Sequence, residues 1–345
     1  MIKSSINSKS ILFTWTMIAI SFTASAQIKE LFGITFPKVY SVVRPVAPPP
    51  DQKEEWKLVF EDNFDGSKPD ETKWMLTPPW GAVFAIGDIK RNDSSTNAGS
   101  ECFTPNNVLV GNGTAKLIIK KEEAVATALY YKEGKDTLAD GILCERKFQY
   151  TAGCFFSRQH FGPGKYEIRC KIPKVDGVWP AFWLYGACGQ ELDVFEFLNE
   201  KYNSPTDIAN KRLHMTYHRN LVCDGGKTYS HGTTLVDTMD YTKDFHTYSI
   251  EWDQYQVTWK VDGKIKKVVY GLKKLHSQRG VDEKNVKKNR KYRLYQVMPN
   301  ETIPMDIIVS CGVTNYGNPQ HPLNRGDYPK TFEVDYVRAY VKEKK

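Results

Sequence analysis

The chain has 345 residues, a formal net charge of +8 and a hydrophobic fraction of 41%. This length and composition fit one large β domain or two average domains with a sizeable core. The basic charge comes with no recognisable nucleic-acid-binding motif, and the seven cysteines contain no CxxC pair. We therefore expect neither a nucleic-acid partner nor a cysteine-based metal cluster, and disulfide pairing cannot be read from the spacing.

Residues 1–26 have the pattern of a signal peptide. Lys3 and Lys9 precede the short apolar run "ILFTWTMIAISF", and "TASAQ" ends in the small-x-small pattern that predicts cleavage after Ala26. The apolar run is too short for a comfortable membrane span. The sequence thus predicts an exported, soluble chain, secreted or periplasmic, with no stable membrane insertion after cleavage.

Residues 27–53 are rich in proline and predict a linker or an extended arm. From residue 54 to residue 345 the pattern changes to short runs with a period of two, which is typical of strands. The pairs "NG" at 112–113 and "DG" at 262–263 predict tight turns. The runs are WKLVFEDNF, AKLIIKK, GKYEIRCKI, PAFWLYG, ELDVFEF, HTYSIEW, YQVTWKVDG, MDIIVSCGV and FEVDYVRAYV. They predict one all-β domain, a β-sandwich or jelly roll.

Three acids interrupt the apolar run "GQELDVFEFLNE": Glu191, Asp193 and Glu196. On a regular strand, Leu192 and Val194 would face the core, with Glu191 and Asp193 on the other side. The same alternation would expose Phe195 and bury Glu196, which is the wrong way round. One extra residue in the strand, a β-bulge, turns Phe195 inward and returns Glu196 to the other acids.

Such a cluster suits sugar chemistry. Two Glu side chains on a twisted sheet can bring their carboxyls to the ~5–5.5 Å separation of a retaining glycosidase. Three crowded acids cannot all ionise comfortably, so at least one pKa should rise, as a general acid requires. Three ordinary exposed acids on the polar face of a strand are the alternative.

The segment "ELDVFE" resembles the ExDxxE motif of glycoside hydrolase family 16 in its bulged form. The resemblance extends over about residues 56–342, in the expected order. It implies a concanavalin A-like jelly roll with a concave substrate cleft, and no cofactor for catalysis. The segments that carry it are WKLVFEDNFDG, FGPGKYEIRCKIPKVDGVWPAFWLYG, DFHTYSIEWDQYQVTWKVDG and FEVDYVRAYV.

The same resemblance implies a role for each acid. Glu191 matches the nucleophile, Glu196 the acid/base and Asp193 the acid that holds and tunes the nucleophile. The implied reaction is a double displacement with net retention.

The aromatic run before the acids and a later histidine are candidates for substrate binding. Trp179 and Trp183 flank Ala181 with even spacing, so they share one side of a strand. The resemblance places that side in the cleft, where indoles stack on sugar rings. Core packing is the alternative, and Phe182 has the parity of a core residue. His218 matches a histidine near the nucleophile, with a purely structural histidine as the alternative.

Asp335, in "EVDYVRAY", matches a family position that often binds a structural Ca²⁺ on the convex face. Calcium prefers several oxygen ligands, including main-chain carbonyls. An aspartate satisfied by hydrogen bonds at a strand edge is the alternative.

The substrate is the least determined feature. The resemblance implies a polysaccharide partner and a monomeric endo-glycosidase, with a laminarin-type β-1,3-glucan favoured by family frequency. Galactans of the agar, porphyran or carrageenan type are the alternative, because the strand reads "GQELDVFEF" where many glucanases carry "GEIDI". Residues 264–293 hold twelve basic residues and predict a solvated surface insertion or a patch that steers an anionic polymer. A non-catalytic carbohydrate-binding jelly roll is a further alternative.

Overall fold

A computed structural model describes residues 55–79, 101–130, 142–198, 206–220, 228–270, 272–274, 281–282, 292–294, 298–313 and 327–343. The predicted signal peptide (1–26) and the proline-rich arm (27–53) lie outside these residues. In the part of the chain that is described, no helix is long and apolar enough to cross a membrane.

The described residues form strands almost throughout, with one short α-helix, α1 (Thr206–Ala209). The first eleven strands are β1 (Glu55–Asp62), β2 (Trp74–Met75), β3 (Glu101–Phe103), β4 (Val108–Gly111), β5 (Thr114–Ile119), β6 (Ala124–Tyr130), β7 (Ile142–Phe148), β8 (Tyr150–Ala152), β9 (Cys154–Phe161), β10 (Gly164–Lys171) and β11 (Val178–Gly186). The others are β12 (Gln190–Glu196), β13 (Arg212–Asn220), β14 (Thr228–Val236), β15 (His246–Trp252), β16 (Gln256–Val261), β17 (Lys264–Tyr270), β18 (Leu272–Lys274), β19 (Val281–Asp282), β20 (Tyr292–Leu294), β21 (Met305–Val313) and β22 (Lys330–Glu343).

Two sheets dominate the fold. The nine-stranded sheet has the order β19-β17-β16-β15-β10-β22-β5-β4, with β1 also paired to β22. The seven-stranded sheet has the order β14-β13-β12-β11-β21-β9-β2. Every strand pair within these two sheets is antiparallel, and the layout is the predicted β-sandwich of the jelly-roll class.

The core lies between the two sheets. In β10, side chains alternate strictly between buried and half-buried, as a strand with one face on the core requires. Phe195 of β12 packs on Tyr248 of β15 with ring centroids 4.4 Å apart. The Trp259 indole of β16 donates to the Asp193 carbonyl oxygen at 2.8 Å. Residues of the nine-stranded sheet therefore hold the inner side of β12, and we call the opposite side of the seven-stranded sheet its outer face.

The predicted strands and turns are present. All nine predicted runs lie on strands, with boundaries that shift by one or two residues. Asn112 and Gly113 both have positive φ, 56° and 71°, and so do Asp262 and Gly263, 49° and 72°. Two consecutive residues with positive φ make the tight turn that matches strand twist, so these pairs close the β4–β5 and β16–β17 hairpins.

The basic segment differs from its prediction. Lys264–Tyr270 is strand β17, paired with β16, so the interpretation as a surface insertion is wrong for these seven residues. Lys266 forms an ion pair with Asp237 at 2.6 Å. Lys267 donates to the Met215 carbonyl oxygen at 3.3 Å, and burial lowers its pKa to about 7. Long aliphatic stems allow lysines to cover apolar surface, which charge counting does not reveal.

The cysteines divide into bonded and free ones. Cys188 is disulfide-bonded and lies in the 3₁₀ turn Ala187–Gly189, between β11 and β12. Four other cysteines are free and buried, namely Cys102, Cys154, Cys170 and Cys311. The bonded cysteine thus anchors the turn that leads into the acidic strand.

Candidate active site

The predicted bulge is present in β12. Against β11, Phe195 pairs with Phe182 and Asp193 pairs with Trp183, which leaves Val194 as the extra residue. Val194 and Phe195 both lie in the core, and Glu196 rejoins the face that carries Glu191. The bulge therefore places three acids on the outer face while the apolar side chains between them anchor the strand.

A row of directly paired residues crosses the outer face through Glu191. Residues opposite each other in antiparallel strands share a face, so strand register alone defines this row. We call it the Glu191 row. From β14 to β9 it consists of Ser230, His218, Glu191, Tyr185, Asp306 and His160.

The carboxyls of Asp193 and Glu191 interact in the sense of a hydrogen bond from Asp193 to Glu191, although Asp193 Oδ2 forms no hydrogen bond of regular geometry. Burial and the neighbouring charges of Glu196 and Glu191 raise the pKa of Asp193 well above its usual range, so its carboxyl is the proton donor. Burial raises the pKa of Glu191 to about 7, and the hydrogen bond with Asp193 opposes that rise. Asp193 thereby favours the ionised form of Glu191, the form a nucleophile needs.

The pKa of Glu196 is raised as well. Burial and then the Glu191 charge raise the pKa of Glu196 to about 7. The indole N–H of Trp179 acts in the opposite direction and lowers it, although Nε1 forms no hydrogen bond of regular geometry. Two carboxyls that titrate near neutrality on one face, with charges that interact, form an acid and base pair of the kind used for glycosidic bonds.

His218 lies beside the acids, as expected. Its Nε2 is 3.6 Å from Asp193 Oδ2, and its Nδ1 is 2.8 Å from Ser230 Oγ. Burial lowers the pKa of His218, so the ring is mainly neutral at neutral pH. The histidine therefore contacts Asp193 without adding a full positive charge.

The two candidate tryptophans lie half-buried on the outer face. Trp183 donates from Nε1 to Ser310 Oγ at 3.1 Å and packs edge-on against Tyr185, with centroids 5.8 Å apart. Trp179 lies near Glu196, as its effect on that carboxyl shows. Phe182 is fully buried, as its parity predicts.

Three polar residues of this face were not found from the sequence: Tyr185, Asp306 and His160. Tyr185 had a usable signal, since it shares the parity of Trp183 in "FWLYG". Asp306 and His160 had none, because the pairing of β21 with β9 joins positions 146 residues apart. Only the assembled sheet brings them into line with Glu191.

A family model described as glycosyl hydrolases family 16 matches residues 96–320. The chain belongs to this family. The predictions of a glycoside hydrolase and of the family are thereby confirmed, and family 16 enzymes act with retention and need no catalytic cofactor.

Individual relatives of this family 16 chain act on different polysaccharides. It is 25% identical to glucan endo-1,3-beta-glucosidase A1 of Niallia circulans, over 94% of this chain and 46% of the relative. It is 28% identical to the kappa-carrageenase of Pseudoalteromonas carrageenovora, over 80% and 66%. The chain thus spans about half to two thirds of these relatives. The laminarinase catalytic domain from Thermotoga maritima superimposes with a TM-score of 0.55 at 23% identity, covering 84% of this chain and 99% of that domain, which supports the fold alone.

Asp335 does not fit the calcium ligand expected of it. It is the extra residue of a bulge in β22, and its carboxylate is bound by the Arg169 guanidinium. The described residues contain no group of three or more His, Cys, Asp or Glu side chains that could hold a metal ion. A guanidinium already balances the one carboxylate that was expected to bind calcium.

Proposed function

We propose that the chain is a retaining endo-glycoside hydrolase that cleaves internal bonds of a β-linked polysaccharide. One observation carries the proposal: Glu191, Asp193 and Glu196 share the outer face of β12, and burial raises the pKa of both glutamates to about 7. The bulge at Val194 is the local structure that makes this arrangement possible.

In the proposed reaction, the Glu191 carboxylate attacks the anomeric carbon while Glu196 gives its proton to the leaving glycosidic oxygen. A covalent glycosyl–Glu191 ester and a shortened sugar chain result. Glu196, now ionised, takes a proton from water, and the hydroxide oxygen attacks the same carbon and releases Glu191. Two inversions at one carbon give net retention. Asp193 keeps its proton and stabilises the charge on Glu191 between turnovers.

We assign substrate binding to the aromatic side chains and to His218. The half-buried indoles of Trp179 and Trp183 lie on the face of the acids, where ring faces can pack on sugar rings. His218 lies on the same face, with Nε2 3.6 Å from Asp193 Oδ2, next to the nucleophile Glu191 with which it pairs across the strands. Calcium is not part of the proposal, because Asp335 is bound by Arg169.

For the substrate we favour a laminarin-type β-1,3-glucan. The similarity to the endo-1,3-beta-glucosidase over 94% of this chain supports that choice. A galactan of the agar, porphyran or carrageenan type is the second candidate, and the kappa-carrageenase relative at 28% identity supports it.

A reducing-end assay on laminarin, lichenan, agarose, porphyran and carrageenan tests the reaction and the substrate together. We expect new reducing ends on laminarin, and proton NMR of the first products should show the β anomer before mutarotation. Activity on the sulfated galactans alone would overturn the glucan assignment and leave the retaining mechanism standing.

The non-catalytic alternative is tested with Glu191→Gln. We expect this variant to lose turnover and keep substrate binding, because the amide has the shape of the acid without its charge. Wild-type protein that binds one of the polymers and cleaves none of them would show that the chain is a binding module.

We also propose that the chain is exported, that residues 54–345 form one catalytic domain and that it is a monomer. The N-terminal pattern supports export, and the two sheets of described residues begin at β1. N-terminal sequencing of secreted protein should start at Gln27, and light scattering should give the mass of one chain.

A further inference from the structure

His160 and Asp306 form a polar pair at the end of the Glu191 row. They lie opposite each other in β9 and β21, and His160 Nδ1 is hydrogen-bonded to the Asp306 carboxylate. The Asp306 side chain is only 12% exposed, whereas that of His160 is 46% exposed. A buried carboxylate thus holds a half-exposed imidazole on the outer face.

The pair is distant from the reacting carboxylates but in register with them. Strands β11 and β21 lie between β12 and β9, so His160 is three strands from Glu191, or ~14 Å at about 4.8 Å per strand. This distance exceeds the width of one sugar ring. A polysaccharide chain lying along the row would therefore meet His160 with a different unit from the one that Glu191 attacks.

The pair also stands where the row ends. Among the described residues, the sheet continues beyond β9 only with β2, which pairs with Phe156 and Ser157 and does not reach His160. At the level of the Glu191 row, His160 is thus the last position that the described sheet offers to a chain crossing the face.

The chemistry of the imidazole fits a donor to substrate. The two ring nitrogens point in different directions, so a carboxylate on Nδ1 fixes the ring and leaves Nε2 directed away from Asp306. The Asp306 hydrogen bond also raises the pKa of His160, which favours the form with an N–H on both nitrogens. The same contact also gives the buried Asp306 carboxylate a partner, which a structural role would use as well, so a binding measurement is needed to separate the two roles.

We propose that His160 is a substrate-binding residue that donates Nε2–H to an oxygen of a sugar unit remote from the cleaved bond, and that Asp306 is its positioning residue. This inference rests on the proposed function and extends it to a distant subsite. The accepting oxygen belongs to a hydroxyl of a neutral glucan or to a sulfate of a sulfated galactan.

The test is binding in the Glu191→Gln background, with and without His160→Gln, on laminarin and on carrageenan. Loss of one such hydrogen bond should weaken binding of the recognised polymer about three- to tenfold. In the active protein, His160→Gln should raise KM by the same factor and leave kcat unchanged. Short oligosaccharides that cover only the acids should be bound and cleaved as before.

A matched control exists in the nine-stranded sheet. His246 also pairs with an aspartate, at 2.9 Å from Asp262, but in a strand of the other sheet. His246→Gln should leave polymer binding unchanged, and thermal unfolding should show that both variants are folded. Asp306→Asn should lower the pKa of His160, measured by NMR, and weaken polymer binding as His160→Gln does.

The outcomes distinguish the proposed His160 subsite from the proposed hydrolysis reaction. An effect that fades at high salt identifies a sulfate acceptor, and one that persists identifies a hydroxyl. Protein that binds a polymer without cleaving it contradicts the proposed reaction, but a weaker affinity of His160→Gln would still support the subsite. Unchanged affinity of His160→Gln, or an equal loss for short and long chains, overturns the subsite, and absence of all binding overturns both proposals.

Discussion

The three acids of β12 and the acids on the outer side of the nine-stranded sheet have opposite kinds of partner. On the nine-stranded sheet, acids face cations, as in the pairs Arg338–Glu61 at 2.7 Å and Lys260–Glu251 at 2.5 Å. On the seven-stranded sheet, the partners of Glu191, Asp193 and Glu196 in the described structure are one another, a mainly neutral His218 and an indole N–H.

This contrast distinguishes carboxylates that stabilise the fold from carboxylates that can take part in proton transfer. A carboxylate beside a cation is stabilised in its ionised form and has little reason to change its protonation. Crowded, buried carboxylates lack that compensation, so their ionisation costs free energy and their pKa values rise toward the working pH. The buried site therefore lowers the stability of the folded protein, and the same burial gives the carboxyls pKa values suited to proton transfer. Such a loss of stability is common at catalytic sites.

The largest effect should come from removing the acids themselves. Glu191→Gln and Glu196→Gln should each lower kcat at least about 10²- to 10⁴-fold, because the nucleophile or the proton donor is lost. Initial rates on the recognised polymer provide the measurement.

Glu251→Gln is the matched control on the other sheet, since it makes the same carboxylate-to-amide change next to Lys260. It should leave kcat within about twofold, as surface substitutions away from a site usually have small effects. A comparable loss of activity in this control would refute the division between the two faces.

A smaller, directional effect is expected for Trp179→Phe. The indole N–H lowers the pKa of Glu196, so its removal should raise that pKa and keep the acid protonated to higher pH. The basic limb of the kcat/KM profile, expected near pH 7 in the wild type, should therefore move upward. A basic limb that stays in place or moves downward would show that Trp179 does not act on Glu196.

Stability should reveal the same contrast through its pH dependence. The pKa of Glu191 is raised to about 7 in the folded state, above the value near 4.5 expected when unfolded, so the folded state binds more protons between these values. Its contribution to stability is complete below pH ~4.5 and is lost as pH rises through 7. Glu191→Gln should therefore raise Tm at pH 8 by about 2–4 °C and change it little at pH 4.

Glu251→Gln should not raise Tm at pH 8, because that part-buried carboxylate is balanced by Lys260 and its loss would leave the lysine charge without a partner. Differential scanning calorimetry at the two pH values compares the variants directly. Equal Tm shifts in both variants would mean that Glu191 and Glu251 do not differ in their effect on stability.

The smallest effect is expected from metal removal. Arg169 already binds Asp335, so calcium and a chelator should give Tm values within about 1 °C of each other. A calcium-dependent rise in Tm that Asp335→Asn abolishes would restore the calcium site implied by the family resemblance.

The sequence was most informative where local geometry had only one solution. The misplaced parity of Phe195 and Glu196 predicted the bulge, because a strand cannot expose the first and bury the second without cost. Long-range pairing was not readable, so His160 and Asp306 were missed. The basic run gave no sign that Lys267 would be half-buried, because that depends on tertiary packing.

The bulge also determines which changes of length β12 tolerates. Without Val194, the pairs Phe182–Phe195 and Trp183–Asp193 become consecutive, so Asp193 and Glu196 keep their face and Phe195 stays inside. Deleting Leu192 instead would turn Glu191 toward the core. A codon-deletion scan of this strand, measured by yield of folded protein, should therefore find Val194 the most dispensable position. The strand carries one spare residue, and its gain or loss is a single evolutionary step that leaves the acids facing outward.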